Sequence, residues 1–282
     1  MAQAEKKLNS GGGFFGMFSN PTLKAEEAAS LYRDAGVKFK VAKMWQEAGE
    51  AYIKSAEAFV KAELPHEAAT SYQEAVTPFK KVSQDDAVMC MEKAAATYLD
   101  MGRFAMAAKQ FKSIGEVAEK DLADLTRAKE FYKRAADAFE SEDSQTSADK
   151  LKLKIASISA QEEEYEEAWT LFEEVVERMV DNNLLKFGSK EYYLKAGVCR
   201  LLSGDVVATK RAFEGYTVQY SAFGDTREWR LLQGLIEACE ENDVEKFQQA
   251  LAEYDSVQKL DSWMTTICLR LKKTLSAEED IL

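Results

Sequence analysis

An alanine returns about every twenty residues along this chain, and few sequence features restrict a fold more. Ala28, Ala48, Ala68, Ala87, Ala107, Ala128, Ala148 and Ala168 are separated by 20, 20, 19, 20, 21, 20 and 20 residues. Four positions after them stand Tyr32, Tyr52, Tyr72, Met91, Phe111, Tyr132, Lys152 and Phe172, six of the eight aromatic. Residues i and i+4 lie one turn apart on a single helix face. The small residue admits a neighbouring helix and the aromatic fills the gap beside it. Sandwiches and barrels need turn chemistry every ten residues or so. This chain has only 3 prolines, and its glycines beyond the N-terminal cluster are scattered.

Breaks fall between the alanines. Asp100-Met101-Gly102 reads as a stop before a new start at Arg103, Ser141 to Ser144 as another, and Pro65 as the first turn of a helix. Twenty residues leave ~15 for a helix and ~5 for a turn. Two such units make a repeat of about forty residues, close to the tetratricopeptide class. A compact bundle of similar helices is the competing reading. The period fades after Phe172, and helices are expected near 185–202, 205–220, 226–240, 243–255 and 260–274. The expected fold is therefore all-α: a twisted, right-handed solenoid of antiparallel helices over 24–183, closed by a bundle over 184–282, because a solenoid needs a capped end. Residues 1–23 form a separate N-terminal segment. Such an array offers long edges and a broad concave face, which are surfaces for binding proteins.

The residues speak against an enzyme. His66 is the only histidine and follows Pro65 at a helix start without a nucleophile motif beside it. Ser10-Gly11-Gly12-Gly13 lacks the Gly-Lys-Ser/Thr of a phosphate loop. No catalytic residue, metal site or cofactor is expected. Cys90, Cys199, Cys239 and Cys268 stand far apart, and Met1 to Gly13 has no apolar secretion core, which points to a reducing cytoplasm. No stretch approaches the ~20 apolar residues of a membrane span. With 37 basic and 49 acidic residues the net charge is −12, a poor balance for general nucleic-acid binding.

Three features suit partner binding. Phe14, Phe15, Met17 and Phe18 sit among glycines and end at Pro21, which neither helix nor strand accommodates easily. They read equally as a membrane-touching loop or as aromatics tucked under the first helix. Lys40, Lys43, Lys80, Lys81, Arg103, Lys109, Lys150, Lys186 and Lys190 recur along the chain, and residues forty apart return to the same edge of a helix-pair array. They form either a stripe that docks an acidic helical partner or scattered solvated charges. Glu237, Glu240, Glu241 and Asp243 form an acidic patch. Glu278, Glu279, Asp280, Ile281 and Leu282 form an acidic, apolar-tipped tail, either captured by a basic partner or idle.

From Phe14 to Leu282 the chain resembles the soluble NSF attachment proteins of the alpha/beta type. The likeness rests on Phe14-Phe15-x-x-Phe18, Lys40-Val41-Ala42-Lys43-Met44-Trp45, Asp100-Met101-Gly102-Arg103-Phe104, Ser147-Ala148-Asp149-Lys150, Leu184-Leu185-Lys186 and Arg227-Glu228. It continues through Glu253-Tyr254-Asp255-Ser256, Leu260-Asp261-Ser262-Trp263-Met264-Thr265-Thr266 and Glu278-Glu279-Asp280. The resemblance implies an adaptor that lines the assembled SNARE four-helix bundle, with syntaxin-like, synaptobrevin-like and synaptosome-associated types of helix. It also implies recruitment and stimulation of the hexameric AAA+ ATPase NSF, which takes the bundle apart and recycles SNAREs for vesicle fusion. The adaptor is expected as a monomer when free, several copies to one SNARE complex, peripherally bound at the cytosolic face of membranes. SNARE contacts are expected at Lys40, Lys43, Lys80, Lys81, Arg103, Lys109, Lys150, Leu184, Lys186, Phe187 and Lys190. NSF contacts are expected at Glu237, Glu240, Glu241, Glu278, Glu279, Asp280 and Ile281, and a membrane loop at Phe14, Phe15, Met17 and Phe18. Phe187 stands where animal relatives carry tyrosine. The rival function is a generic tetratricopeptide-like scaffold for an unrelated helical or peptide partner.

Overall fold

Each of the eight periodic alanines has no solvent exposure, and seven of their eight partners four residues on are buried. The exception is Lys152, whose ammonium pairs with Glu174 at 2.7 Å. The structure is a computed structural model that describes residues 1–9 and 20–279. Among those residues there are fourteen α-helices and no strand. They are α1 (Ala2–Asn9), α2 (Pro21–Val41), α3 (Trp45–Lys61), α4 (Pro65–Phe79), α5 (Gln84–Asp100), α6 (Phe104–Lys120) and α7 (Leu125–Glu140). There follow α8 (Gln145–Gln161), α9 (Tyr165–Asp181), α10 (Ser189–Leu202), α11 (Val206–Gln219), α12 (Arg227–Glu241), α13 (Val244–Val257) and α14 (Ser262–Glu279). The fold is all-α, of the helical-solenoid class. The breaks expected at Asp100–Arg103 and Ser141–Ser144 fall between α5 and α6 and between α7 and α8, and Pro65 opens α4.

The turns explain how twenty residues suffice. Lys43, Glu63, Gly102, Asp143 and Glu163 all have φ between 53° and 67°, in the left-handed region. At the first, Lys43 N–H donates to the Lys40 carbonyl at 3.1 Å and Met44 N–H to that of Phe39 at 2.9 Å. This pair of bonds is the Schellman arrangement, which satisfies carbonyls left over at a helix end. The long bond recurs from Leu64 to Phe59, Arg103 to Tyr98, Ser144 to Phe139 and Glu164 to Ser159. Only one of these five left-handed residues is glycine, although the conformation costs other residues about 1–2 kcal/mol. The α4–α5 turn is built otherwise. Pro78 lies inside the last turn of α4, and the extended Ser83 caps α5 by accepting from Asp86 N–H at 3.2 Å.

The contacts form two compact units, Met1–Ala148 and Asp149–Leu282, which meet in sequence inside α8. The fading of the period after Phe172 is a property of the sequence pattern, and the contacts regroup earlier. In the first unit, helices from α1 to α7 pack on their neighbours in the chain. Short turns between packed neighbours make them alternate in direction. Each buried aromatic removes roughly 150–250 Å² from water, an upper value of about 4–6 kcal/mol gross. In the second unit α10 packs against α9, α11, α12 and α14. Tyr193, Leu194, Ala196, Val198, Cys199 and Leu201 of α10 join one core with residues from α8, α9 and α11 to α14. Trp263 donates its indole N–H to the Ser157 carbonyl at 2.9 Å, and Arg270 donates to those of Ala160 and Gln161 at 2.9 Å. A cation at the carbonyl end of α8 also meets the favourable end of the helix dipole.

Candidate functional site

Alternating direction decides where the basic residues of the first unit fall. Lys40 and Lys43 follow from the C-terminal end of α2, and Lys80 and Lys81 from that of α4, so these four share one edge. All four are exposed. Lys43 is itself the left-handed residue of its turn, at φ 58°. Arg103 precedes α6 at the other edge, about 26 Å away along the seventeen-residue α5 at ~1.5 Å per residue. Lys109 is exposed in the second turn of α6, nearer to Arg103 than to the first four. Lys40, Lys43, Lys80, Lys81 and Lys109 have no ion pair among the described residues.

Lys150 belongs to the second unit. Beside it, Asp149 accepts from Arg178 at 3.0 and 2.6 Å, and Arg178 also donates to Glu174 at 3.1 Å. This network pins the start of α8 to the end of α9. Burial raises the Glu174 carboxyl, but bonds from Lys152 and Arg178 outweigh it and hold the group below its ordinary range. Directly after α9 the chain turns: Asn182 accepts from Leu184 N–H at 2.9 Å through its side chain. A short 3-10 turn, Lys186–Gly188, then leads into α10. This corner leaves Leu184 91% and Phe187 71% exposed. Lys186 donates to the Asn183 side chain at 2.9 Å, and the Lys190 ammonium lies 4.7 Å from the Phe187 ring centroid. Two bare apolar side chains edged by lysines suit an acidic partner with an apolar stripe. Covering each apolar chain is worth about 1.5–3 kcal/mol.

The acidic patch is already partly neutralised. Glu240 accepts from Lys210 at 2.8 Å, while Lys246 pairs with Glu241 at 2.8 Å and Glu237 at 3.4 Å. Asp243 spends its carboxylate capping α13, accepting from Lys246 N–H at 2.9 Å. Exposed pairs of this kind are worth only ~0–1 kcal/mol and can be exchanged for a partner's cations. Glu278 and Glu279 lie in the last turn of α14. Asp280 and Ile281 lie outside the described residues, as do Phe14, Phe15, Met17 and Phe18.

His66 is exposed at the start of α4, 3.9 Å from Glu67. Cys90, Cys199 and Cys268 are buried and free, and burial pushes each thiol up to about 12. No His/Cys/Asp/Glu group that could hold a metal occurs among the described residues, and no helix there is long and apolar enough to cross a membrane. The sequence assigned no role of its own to one residue. Glu228, at the start of α12, is 2% exposed and faces Lys190 at 3.3 Å. A glutamate in a first helical turn is normally a solvated partner of the helix dipole, so its sequence position carried no signal of burial.

The chain matches the family model described as soluble NSF attachment protein, SNAP, over residues 1–276. It is 38% identical to the alpha-soluble NSF attachment protein of Mus musculus over 280 residues, 99% of this chain and 95% of that protein. Identity to the alpha-soluble NSF attachment protein of Dictyostelium discoideum is 43% over 277 residues, 98% of this chain and 94% of that protein. The probable vesicular-fusion protein sec17 homolog of Schizosaccharomyces pombe is 34% identical over 280 residues, 99% of this chain and 96% of that protein.

Proposed function

This chain belongs to the soluble NSF attachment protein family, and on that footing we propose that it couples assembled SNARE bundles to the ATPase NSF. It is an adaptor and not an enzyme, so the nucleotide chemistry resides in its partner. Residues 24–183 form the helical array, and 184–282 the capping bundle with its acidic tail. Lys40, Lys43, Lys80, Lys81, Arg103 and Lys109 of the first unit, and Lys150 of the second, meet the acidic flanks of the SNARE coil. Leu184 and Phe187, with Lys186 and Lys190, supply an apolar foothold. Glu237, Glu240, Glu241, Glu278, Glu279, Asp280 and Ile281 engage and stimulate NSF. Phe14, Phe15, Met17 and Phe18 touch the membrane from the cytosolic side. That contact raises the local concentration of several copies around one complex.

The observation that carries this reading is the corner after α9, where 91% of Leu184 and 71% of Phe187 face water beside Lys186 and Lys190. An adaptor that transmits force without reading one sequence needs many weak charge contacts and few desolvated anchors. The test is disassembly of a SNARE four-helix bundle by NSF and ATP, with this protein present or omitted. Disassembly is expected only when it is present. Lys109→Glu combined with Lys150→Glu is expected to weaken bundle binding about tenfold at unchanged helicity, reversing two favourable contacts. Equal disassembly with the protein omitted would overturn the proposal.

A further inference from the structure

Lys190 presents its charge less to solvent than to its own fold. Its side chain is only 26% exposed, its ammonium is 3.3 Å from Glu228 Oε1, and the same nitrogen lies 4.7 Å from the Phe187 ring centroid. Glu228 is almost wholly enclosed, and its second oxygen has no hydrogen-bond partner. An enclosed carboxylate is costly to keep unless a cation answers it. The Lys190 ammonium is thus tied to a buried anion and also lies against an aromatic ring that is mostly in water. A cation over a ring face attracts it electrostatically, so the ring is restrained although little packs on it.

We infer that Glu228 is a positioning residue: it fixes Lys190, and through Lys190 it holds the exposed Phe187 ring in the attitude in which a partner meets it. The inference rests on the proposed role of the Leu184–Phe187 corner in binding the SNARE bundle. It also assigns Lys190 a different part from the other lysines. Lys190 acts through Phe187, whereas Lys40, Lys43, Lys80, Lys81, Lys109 and Lys150 have no such tie. Glu228 sits on α12 and Phe187 before α10, two elements that pack together in the second unit. The platform is therefore oriented from behind, by a residue no partner touches.

A double-mutant cycle tests this on the full chain. Binding to an assembled SNARE four-helix bundle is measured for the unsubstituted protein, Glu228→Gln, Phe187→Ala and the double variant, with helicity and thermal midpoint as folding controls. Glu228→Gln is expected to weaken binding about three- to tenfold, the range a lost cation–ring contact spans. In the Phe187→Ala background it is expected to add nothing. An equal loss in both backgrounds would overturn the inference, because a purely structural glutamate acts whatever stands at 187. A second arm needs no partner. In protein labelled with fluorophenylalanine, the Phe187 fluorine resonance, assigned by its absence in Phe187→Leu, should shift and sharpen on Glu228→Gln. An unmoved resonance would overturn the inference even if binding changed. Failure of the unsubstituted protein to bind the bundle would defeat the proposed function instead, leaving the fluorine arm to decide this point. If Glu228→Gln does not fold, Glu228→Gln with Lys190→Met removes both charges together and is read the same way.

Discussion

The two units solve the same packing problem differently. In the first, a helix meets chain neighbours on either side, and the same devices repeat. Gly49 lies so close to Phe79 of the next helix that a Cβ would fall 2.5 Å from the ring, and Gly115 stands likewise 2.7 Å from Tyr132. In the second, α10 is surrounded, with α9, α11, α12 and α14 against it. Every residue from Tyr193 to Cys199 is buried, and even Lys195 among them is enclosed, paired with Glu191 at 2.7 Å and near the Trp263 ring. A period therefore records equivalent surroundings: it persists while every helix sees the same two neighbours and vanishes where one helix becomes a hub.

Removing a side chain from the core around this hub should expose the difference most. Phe172 has no exposure and meets Trp263 edge-on at 6.0 Å and Tyr192 at 6.1 Å. Phe172→Ala should cost about 3–5 kcal/mol. In the native state Cys90, Cys199 and Cys268 should react slowly with thiol reagents, since all three are buried and burial pushes each thiol up to about 12. In the variant, labelling of Cys199 and Cys268 should accelerate while Cys90 keeps its rate. Equal acceleration at Cys90 would show that the units do not open separately.

Gly115→Ala probes the other side of the comparison. Overpacking against the Tyr132 ring should cost about 1–3 kcal/mol. In a nearest-neighbour array, lost hydrogen-exchange protection should centre on α6 and α7. A uniform loss from α1 to α7 would break that description. Smaller still is a pair of turn variants with opposite signs. Glu63 holds φ 56° without being glycine, while Gly204 holds φ 87° with open space where a Cβ would go. Glu63→Gly should gain about 1 kcal/mol and Gly204→Ala lose a similar amount, read from denaturant midpoints. The smallest effect is on pH dependence. The folded Glu174 carboxyl lies below its unfolded value of 4.5, so its stabilisation is present above that value and is lost as pH falls through the lower, folded one. Glu174→Gln should therefore be less stable than the unsubstituted protein at neutral pH, with the gap closing below pH 4.5. A gap that stays constant into acid would show that Lys152 and Arg178 do not stabilise the ionised form.

The repeating half was legible because its information is local. Ala48 and Tyr52, or Ala107 and Phe111, face one way by helical geometry alone. Pro65 and the Asp100–Gly102 break also act on their own neighbourhood. What stayed hidden is carried by distance: Trp263 and Ser157 are 106 residues apart, Arg270 and Ala160 110. The division inside α8 was hidden too, because Ala148 and Ala168 carry the period straight across it. In the candidate site, exposure of Lys40, Lys43, Lys80 and Lys81 followed from their place beside turns. The tie between Lys190 and Glu228 depends on α12 returning to α10, which no spacing announces. Charge content likewise pointed to Glu237, Glu240 and Glu241 but not to Lys210 and Lys246 beside them.

At each left-handed turn the backbone is settled by bonds back to the preceding helix, so the turn itself does not depend on the side chain at that corner. Lysine, glutamate and aspartate all occupy such corners here. A lineage can therefore rewrite the charge of an outer corner one residue at a time, because lysine, glutamate and aspartate bear a similar left-handed cost, without recoding anything inside. The charge that a corner offers to any partner can drift or be retuned in small increments while the frame that presents it is inherited intact.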